Sequence, residues 1–117
     1  MSPSARAGSA ERLQGALKAL ADPQRVAILR LVHAEELPAG EIATHFQTTR
    51  QAVSQHLRLL TDSGLLELRR EGTKRLYRVR KEAFAEIRGF LEVFWDDGLA
   101  SLKQRVEKDK SARRGRR

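Results

Sequence analysis

The spacing of apolar residues changes at Gly64, and this change sets the fold class. Before Gly64, apolar residues recur at three- and four-residue steps, which is the spacing of amphipathic helices. Residues 65–70 and 74–80 instead read as short strands, and residues 71–73 (Glu-Gly-Thr) as the turn between them. Helical spacing returns over residues 82–108. The chain is therefore predicted to be mainly α with a small β-hairpin, in the order helix, helix, helix, helix, strand, strand, helix.

The four early helices have recognisable ends. Asp22 is a good N-cap, and Pro23 suits the first helical position. Thr48 with Gln51 three residues later has the form of a capping box, and Gly64 stands where a left-handed helix stop is expected. These signals predict helices over residues 11–20, 24–34, 40–46 and 50–62.

The length of 117 residues suits one domain. Residues 1–10 and 110–117 offer little to bury and are predicted to be disordered tails, which leaves a folded domain over residues 11–109. No apolar run approaches the roughly 18 residues of a membrane span, and the first ten residues lack the apolar core of a secretory signal. With no cysteine in the chain, these features predict a cytoplasmic protein without disulfides.

Residues typical of catalysis or metal binding do not cluster in the sequence. His33, His45 and His56 fall on three different predicted helices, and none has a second ligand at metal-binding spacing. Without cysteine, thiolate chemistry is excluded, and no Ser-His-acid order or glycine-rich phosphate loop is present. The chain is predicted not to be an enzyme and to have no catalytic residues, metal or cofactor.

The charge points to a polyanionic partner. The formal net charge is +8 with a pI near 10.8, and the positive charge is concentrated in residues 69–81 and 110–117. Residues 82–109 are net negative by comparison. A merely solvated basic surface is the alternative interpretation of this pattern.

The fourth predicted helix has the pattern of a DNA-reading helix. Ala52, Val53, Leu57 and Leu60 form its inner face, while its N-terminal half presents short polar and basic residues outward. Arginine pairs with guanine and glutamine with adenine in the major groove. An ordinary amphipathic helix with a solvated face is the alternative. The predicted DNA contacts at this helix are Thr48, Thr49, Arg50, Gln51, Ser54, Gln55, His56 and Arg58.

The hairpin is densely basic. Its cations repel one another unless a polyanion lies alongside, and DNA phosphates or the minor groove supply one. Arg70, Lys74 and Arg75, near the tip, are the predicted contacts. Tyr77 and Val79 are predicted to share one strand face as core residues, and Leu66 and Leu68 to share another. Two short helices, a tight turn and a basic hairpin together predict a winged helix-turn-helix.

The last helix has an apolar stripe that is too long for a small domain to cover by itself. A second copy of the chain is the simplest partner, which predicts a two-fold homodimer. The alternative is that the stripe folds back on its own domain. The predicted dimer interface consists of Leu13, Leu17, Leu20, Phe84, Ile87, Leu91, Trp95, Leu99 and Leu102.

Several segments in order resemble the ArsR family of bacterial winged-helix repressors. These are Ala21-Asp22-Pro23 with Arg25, Gly40-Glu41-Ile42-Ala43, Ser54-x-His56-Leu57 and Gly64-Leu65, within a match over residues 11–106. The resemblance implies a dimer that uses the first and last helices, a recognition helix at residues 50–62 and a wing at residues 67–79. It also implies operator binding and transcriptional repression, often of the repressor's own operon.

The chain departs from the family's metal sensors. Residues 37–40 (Leu-Pro-Ala-Gly) stand where those sensors carry a Cys-x-Cys-type motif, and the last helix has no histidine. The resemblance is thus to the metal-free subgroup similar to the SdpR autorepressor. Where many relatives have a proline early in the recognition helix, this chain has Gln51-Ala52.

Together these features predict a sequence-specific, dimeric repressor of an inverted-repeat DNA operator, without metal sensing. One alternative is a nonspecific architectural nucleic-acid-binding protein. Another is a repressor switched by an organic ligand bound near Phe90, Phe94 and Trp95.

Overall fold

A computed structural model describes the backbone of residues 3–115 and the side chains of residues 9–95 and 102–108. The elements follow in the predicted order, which confirms the mainly helical fold with one hairpin. They are α1 (Pro3–Ala19), α2 (Pro23–Ala34), α3 (Ala39–Thr44), α4 (Arg50–Asp62), β1 (Leu66–Glu71), β2 (Lys74–Val79) and α5 (Lys81–Gly115). Helical backbone extends from α1 and α5 into residues 1–10 and 110–117, while the domain limits at residues 11 and 109 stay a prediction.

Asp22 and Arg25 fix the junction between α1 and α2. Asp22 Oδ1 accepts hydrogen bonds from the backbone N–H groups of Gln24 (2.8 Å) and Arg25 (3.3 Å), which confirms Asp22 as the N-cap. Pro23 occupies the first helical position. The Arg25 Nε donates to the carbonyl oxygen of Ala19 at 2.7 Å. The Asp-Pro-x-Arg segment thus caps the end of one helix and the start of the next.

The core is built around α4, which contacts α1, α2, α3 and β1. Val53, Leu57 and Leu60 are buried on the inner face of α4. Since this face holds α4 on the scaffold, the opposite face is left to solvent. The other buried apolar side chains up to residue 85 are Ala16, Ala19, Ile28, Leu29, Val32, Leu37, Ile42, Leu65, Leu66, Leu76 and Ala83.

Gly64 ends α4 and starts the hairpin. Its φ of 81° is in the left-handed region, which confirms the predicted helix stop. The Gly64 N–H donates to the Thr61 carbonyl oxygen, and the Leu65 N–H to that of Leu60, both at 3.0 Å. These two bonds are those of a Schellman motif. They turn the chain so that Leu65 and Leu66 enter the core directly after the helix.

The hairpin pairs β1 with β2 across a two-residue turn, in which Gly72 has a φ of 62°. Leu66 lies opposite Val79, and Leu68 opposite Tyr77. Directly opposed residues of antiparallel strands point to the same face. The prediction that the two leucines lie on a different face from Tyr77 and Val79 is therefore wrong, because the sequence does not give the strand register.

The chain forms two compact units, which divide between Ala85 and Glu86. The first contains α1 to β2 and the start of α5, and the second is the rest of α5. Within the part of the chain that the structure describes, no helix combines the length and the apolar composition that crossing a membrane requires.

Candidate nucleic-acid interface

The outer face of α4 carries a group of exposed polar side chains. The bounds of α4, Arg50–Asp62, are those predicted for the recognition helix. While Val53, Leu57 and Leu60 are buried, the exposed residues include two arginines and two glutamines, whose side chains have the donors and acceptors that read base edges. Five of the predicted contacts are therefore brought together: Arg50, Gln51, Ser54, Gln55 and Arg58.

Thr49 caps the N-terminus of α4, and the predicted capping by Thr48 is wrong. Thr49 has extended backbone (φ −69°, ψ 149°), and its Oγ1 accepts a hydrogen bond from the Ala52 N–H at 3.0 Å. The Thr49 carbonyl also accepts the first helical bond, from the Val53 N–H. An N-cap requires this backbone conformation. Thr48 stands one residue too early and is half-buried.

The two threonines give a matched test of this assignment. We expect Thr49→Ala to lower the free energy of unfolding by about 0.5–2 kcal/mol, since it leaves an N–H of α4 unsatisfied. Thr49→Ser should retain most of the stability. Thr48→Ala, measured by urea unfolding in parallel, should have the smaller effect. A larger loss in Thr48→Ala than in Thr49→Ala would restore the capping box of the sequence prediction.

His56 is held by the scaffold rather than presented with the exposed group. Its Nε2 lies 2.9 Å from Gln24 Oε1, so the two side chains form a hydrogen bond between α4 and the start of α2. The ring is half-buried. His56 is one of the predicted DNA contacts, but its hydrogen bond to Gln24 favours a role in packing α4 against α2.

Arg50 makes a contact that sequence reasoning missed. A methyl group placed on Gly40 would lie 3.2 Å from the Arg50 Nη2, so this guanidinium lies against the first turn of α3. The Arg50 side chain therefore links the start of α4 to the start of α3. Helical periodicity treats each helix alone and gives no signal for a contact between two of them.

The arginines of the hairpin divide into two groups. Arg69 donates to Glu36 at 2.6 Å, and Arg78 to Glu67 at 2.6 Å. Arg80 donates to the Gly64 carbonyl oxygen at 3.2 Å. All three are thus engaged within the fold.

The second group lies at the tip of the hairpin. Arg70, Lys74 and Arg75 are exposed, and none forms an ion pair with another of the described residues. Arg70 lies directly opposite Arg75 in the strand register. Like charges in this arrangement destabilise an isolated hairpin. An anion placed beside the tip would relieve the repulsion.

The Glu36–Arg69 ion pair anchors the hairpin to the segment between α2 and α3. The hydrogen bond from Arg69 lowers the pKa of the Glu36 carboxyl, whereas desolvation acts in the opposite direction and raises it. The pKa of Arg69 is raised, first by its hydrogen bond to Glu36. Both groups are therefore held in their charged forms.

This ion pair predicts a pH dependence of stability. A carboxyl with a lowered pKa stabilises the fold above its unfolded pKa, and the contribution is lost as pH falls through the folded pKa. We expect the thermal midpoint of the wild type to fall as pH drops below 4.5, the unfolded reference for Glu36. In Glu36→Gln this loss should be smaller, whereas in Glu35→Gln, on the exposed neighbour, it should match the wild type. An equal loss in both variants would contradict the assignment.

The predicted dimer residues differ in exposure. Leu13, Leu17, Leu20 and Phe84 are half-buried, and Ile87 is buried. In contrast, Leu91, Trp95 and Leu102 are 52%, 66% and 56% exposed. The side chain of Leu99 lies outside the described residues.

Further apolar side chains extend this exposed surface of α5. Phe90 and Phe94 are exposed, and their rings meet edge to face with centroids 5.2 Å apart. Val93, which sequence reasoning missed, is 63% exposed. An apolar surface of this size on a helix is typical of a protein–protein interface.

A helix-turn-helix with an exposed polar second helix, followed by a basic hairpin, defines a winged helix-turn-helix DNA-binding transcriptional regulator. The comparisons with known proteins agree. A family model described as a helix-turn-helix domain matches residues 20–69.

Three relatives show the extent of the similarity. The HTH-type transcriptional regulator Rv2034 of Mycobacterium tuberculosis is 38% identical over 95 residues, which cover 80% of this chain and 88% of that protein. An arsenical resistance operon repressor of Staphylococcus xylosus is 34% identical, covering 73% and 82%. The transcriptional repressor SdpR of Bacillus subtilis is 33% identical over 60 residues, covering 51% and 67%.

Solved structures show the same fold. An ArsR-like transcriptional regulator from Rhodococcus sp. RHA1 has a TM-score of 0.70 and 31% identity, covering 83% of this chain and 94% of that one. A homodimeric winged helix-turn-helix domain from Mycobacterium bovis has a TM-score of 0.59 and 31% identity, covering 83% and 89%. This chain belongs to the ArsR family. Its family and fold are those of DNA-binding transcriptional regulators and not of enzymes.

Proposed function

We propose that this chain is a cytoplasmic homodimeric repressor of an inverted-repeat DNA operator. The observation that carries the proposal is that exposed arginine and glutamine side chains on α4 accompany cations at the hairpin tip that form no ion pair with another described residue. Base contacts specify a sequence, whereas phosphate contacts position the protein on the duplex. The structure offers side chains suited to each task.

Base reading is assigned to the N-terminal half of α4. The start of a recognition helix points at base edges in the major groove. Gln51 is exposed there and suits adenine, and Arg50 and Arg58 suit guanine. The Thr49 hydroxyl accepts a hydrogen bond in the helix cap, so we assign its side chain to holding the start of α4 in place. This helix N-terminus is proposed to lie next to the DNA phosphates.

Phosphate binding is assigned to the hairpin tip. Arg70, Lys74 and Arg75 are exposed hairpin cations that form no ion pair with another described residue, so no internal ion pair has to be broken when they approach DNA. The paired arginines, Arg69 and Arg78, instead hold the hairpin in place. A basic C-terminal end, over residues 110–117, adds nonspecific attraction.

A second copy is assigned to the apolar surface of α5. The exposed Leu91, Trp95 and Leu102 support a helical interface, with the half-buried leucines of α1 as further contacts. The M. bovis relative in solution is described as homodimeric. A two-fold dimer places its recognition helices in successive major grooves, about 34 Å apart, which requires an inverted-repeat operator.

Metal-independent repression is part of the proposal. Some relatives are named as arsenical resistance repressors. This chain has no cysteine, and thiolate is the usual ligand for such metalloids. We expect operator affinity to be unchanged by arsenite or Zn²⁺ at concentrations that release a thiolate-based repressor. A tenfold loss of affinity with either would contradict this part.

The first experiment is the selection of duplex DNA from a random pool by the purified chain. Enrichment of an inverted repeat with half-sites about one helical turn apart supports a specific dimeric regulator. Tight binding without enrichment, falling steeply with salt, supports instead a nonspecific architectural protein.

Gln51→Ala tests the base-reading helix directly. We expect the variant to bind the selected operator about 1–3 kcal/mol more weakly and to lose preference at one base position of each half-site. Gln14→Ala, on the exposed side of α1, is the matched control and should retain wild-type affinity. Unchanged binding by Gln51→Ala would remove Gln51 from the base-contacting group.

A further inference from the structure

An apolar cavity of about 470 Å³ lies within the first unit, and none of the described residues that line it belongs to α4. Its walls come from the end of α1, the middle of α2, the end of β2 and the start of α5. The apolar residues that line it are Leu20, Val26, Leu29, Val79 and Phe84, of which Leu20 and Phe84 are also predicted dimer contacts. Its volume is in the range of small-molecule sites, which are concave and mostly apolar.

The polar residues that line this cavity are cationic or histidine. Arg30 and His33 stand three residues apart on α2 and therefore share a face, and Lys81 opens α5. No carboxylate is among the described residues that line it. Apolar walls with basic groups complement a molecule that has an apolar tail and an anionic head.

An adjoining polar depression contains acidic groups, and two of the three are neutralised. Glu36 pairs with Arg69, and Glu67 with Arg78. Glu82 is the third carboxylate that lines this depression. The basic character of the apolar cavity is therefore not cancelled by Glu36 or Glu67.

We propose that this cavity binds an amphipathic organic anion, with one carboxylate or a similar head beside Arg30, His33 and Lys81 and an aliphatic or aromatic tail against Leu29, Val79 and Phe84. Phe90, Phe94 and Trp95 are not among the described residues that line it.

Such a ligand would contact elements that also support the DNA-reading surface. Val79 ends the β2 strand of the basic hairpin, and α2 carries Gln24, the hydrogen-bond partner of His56 on α4. An effect of the ligand on operator affinity rests on the proposed function. By thermodynamic linkage, operator DNA would change the affinity for the ligand by the same factor. Ligand binding itself is measured without DNA, so that failure of the cavity and failure of the DNA proposal are distinguished.

The probes are octanoate, decanoate and dodecanoate, each below its micelle concentration, titrated into the full chain by calorimetry and by amide NMR. We expect affinity to rise about fourfold per added methylene, the effect of burying one CH₂ group. Decanol and decyltrimethylammonium should bind at least tenfold more weakly than decanoate. The shifted amides should centre on Leu29, Val79 and Phe84.

Variants then test separately the basic side chains of the cavity and its volume. We expect the double variant Arg30→Gln, Lys81→Gln to weaken decanoate binding at least tenfold. The double variant Arg12→Gln, Lys18→Gln removes the same charges from the exposed side of α1 and should bind as the wild type does. Val26→Phe, which fills the cavity, should abolish binding of both decanoate and decanol, and thermal unfolding shows whether each variant is folded.

Four results would overturn the proposal. They are no binding of decanoate to the wild type, equal binding of the cationic amphiphile, an unchanged affinity in the Arg30, Lys81 double variant, or shifts centred on Phe90 to Trp95. The first result would overturn the proposal equally if the second copy covers the cavity through Leu20 and Phe84, because the cavity would then take no ligand in the protein as it exists.

Discussion

Replacing Arg70, Lys74 and Arg75 together by glutamine is expected to weaken DNA binding by about 10²- to 10³-fold per hairpin at 0.1 M salt. Each phosphate contact that is lost makes the dependence of log affinity on log salt shallower by about 0.9, so three contacts correspond to about 2.7 per hairpin. Because these cations are exposed and unpaired among the described residues, the thermal midpoint should not fall. The loss should be similar for operator and random DNA, since phosphates carry no sequence information.

Arg75→Gln and Arg78→Gln form a matched pair for this prediction. The two residues lie on the same strand, but Arg78 donates to Glu67 at 2.6 Å whereas Arg75 lies at the tip, opposite Arg70. Arg75→Gln should reduce the salt slope by about 1 per hairpin and leave stability unchanged. Arg78→Gln should leave the slope nearly unchanged. If the two variants reduced the slope equally, the division of the hairpin into structural and DNA-binding cations would be wrong.

Leu57→Ala is expected to lower the free energy of unfolding by about 2–5 kcal/mol, a large part of the stability of a domain this small. Leu57 is 1% exposed on the inner face of α4, where the helix contacts the rest of the core. The truncation removes buried apolar surface and leaves a cavity that the neighbouring side chains fill only in part. Urea unfolding, monitored by far-UV circular dichroism, measures the change.

Leu59→Ala is the control, on the same helix and with the same chemical change. Leu59 is 43% exposed, so its truncation removes little buried surface and should cost less than about 1 kcal/mol. In Leu57→Ala, operator affinity measured well below the unfolding midpoint should fall less than stability does, because no base-reading side chain is removed. Equal destabilisation by the two variants would mean that the inner face of α4 is not packed as the structure shows.

The features that the sequence predicts well are those encoded by local spacing. The bounds of α4, the N-cap at Asp22 and the stop at Gly64 all follow from residue types within a few positions of one another. The exposed group on α4 follows in the same way, since helical periodicity separates Gln51 and Ser54 from Val53 and Leu57.

The features that the sequence does not predict depend on partners distant in the chain. The position of Arg70 near the tip predicts its exposure, but no local pattern predicts that Arg69 donates to Glu36, thirty-three residues away. His56 likewise binds Gln24 across the domain. The choice of Thr49 over Thr48 as the cap was missed for a different reason, because a one-residue shift of a helix start changes which hydroxyl is in position.

The bridge between Leu37 and Tyr77 has a consequence for how copies of the chain associate. The Tyr77 N–H donates to the Leu37 carbonyl oxygen at 2.9 Å, on the edge of β2 that faces away from β1. That edge is therefore blocked at its middle, and the outer edge of β1 is short and carries Glu67, Arg69 and Arg70. Short, charged or covered edges resist the strand-to-strand addition that begins fibril growth. In the proposed complex, the hairpin can therefore lie beside DNA without becoming a template for aggregation, and association between copies is assigned to the helices.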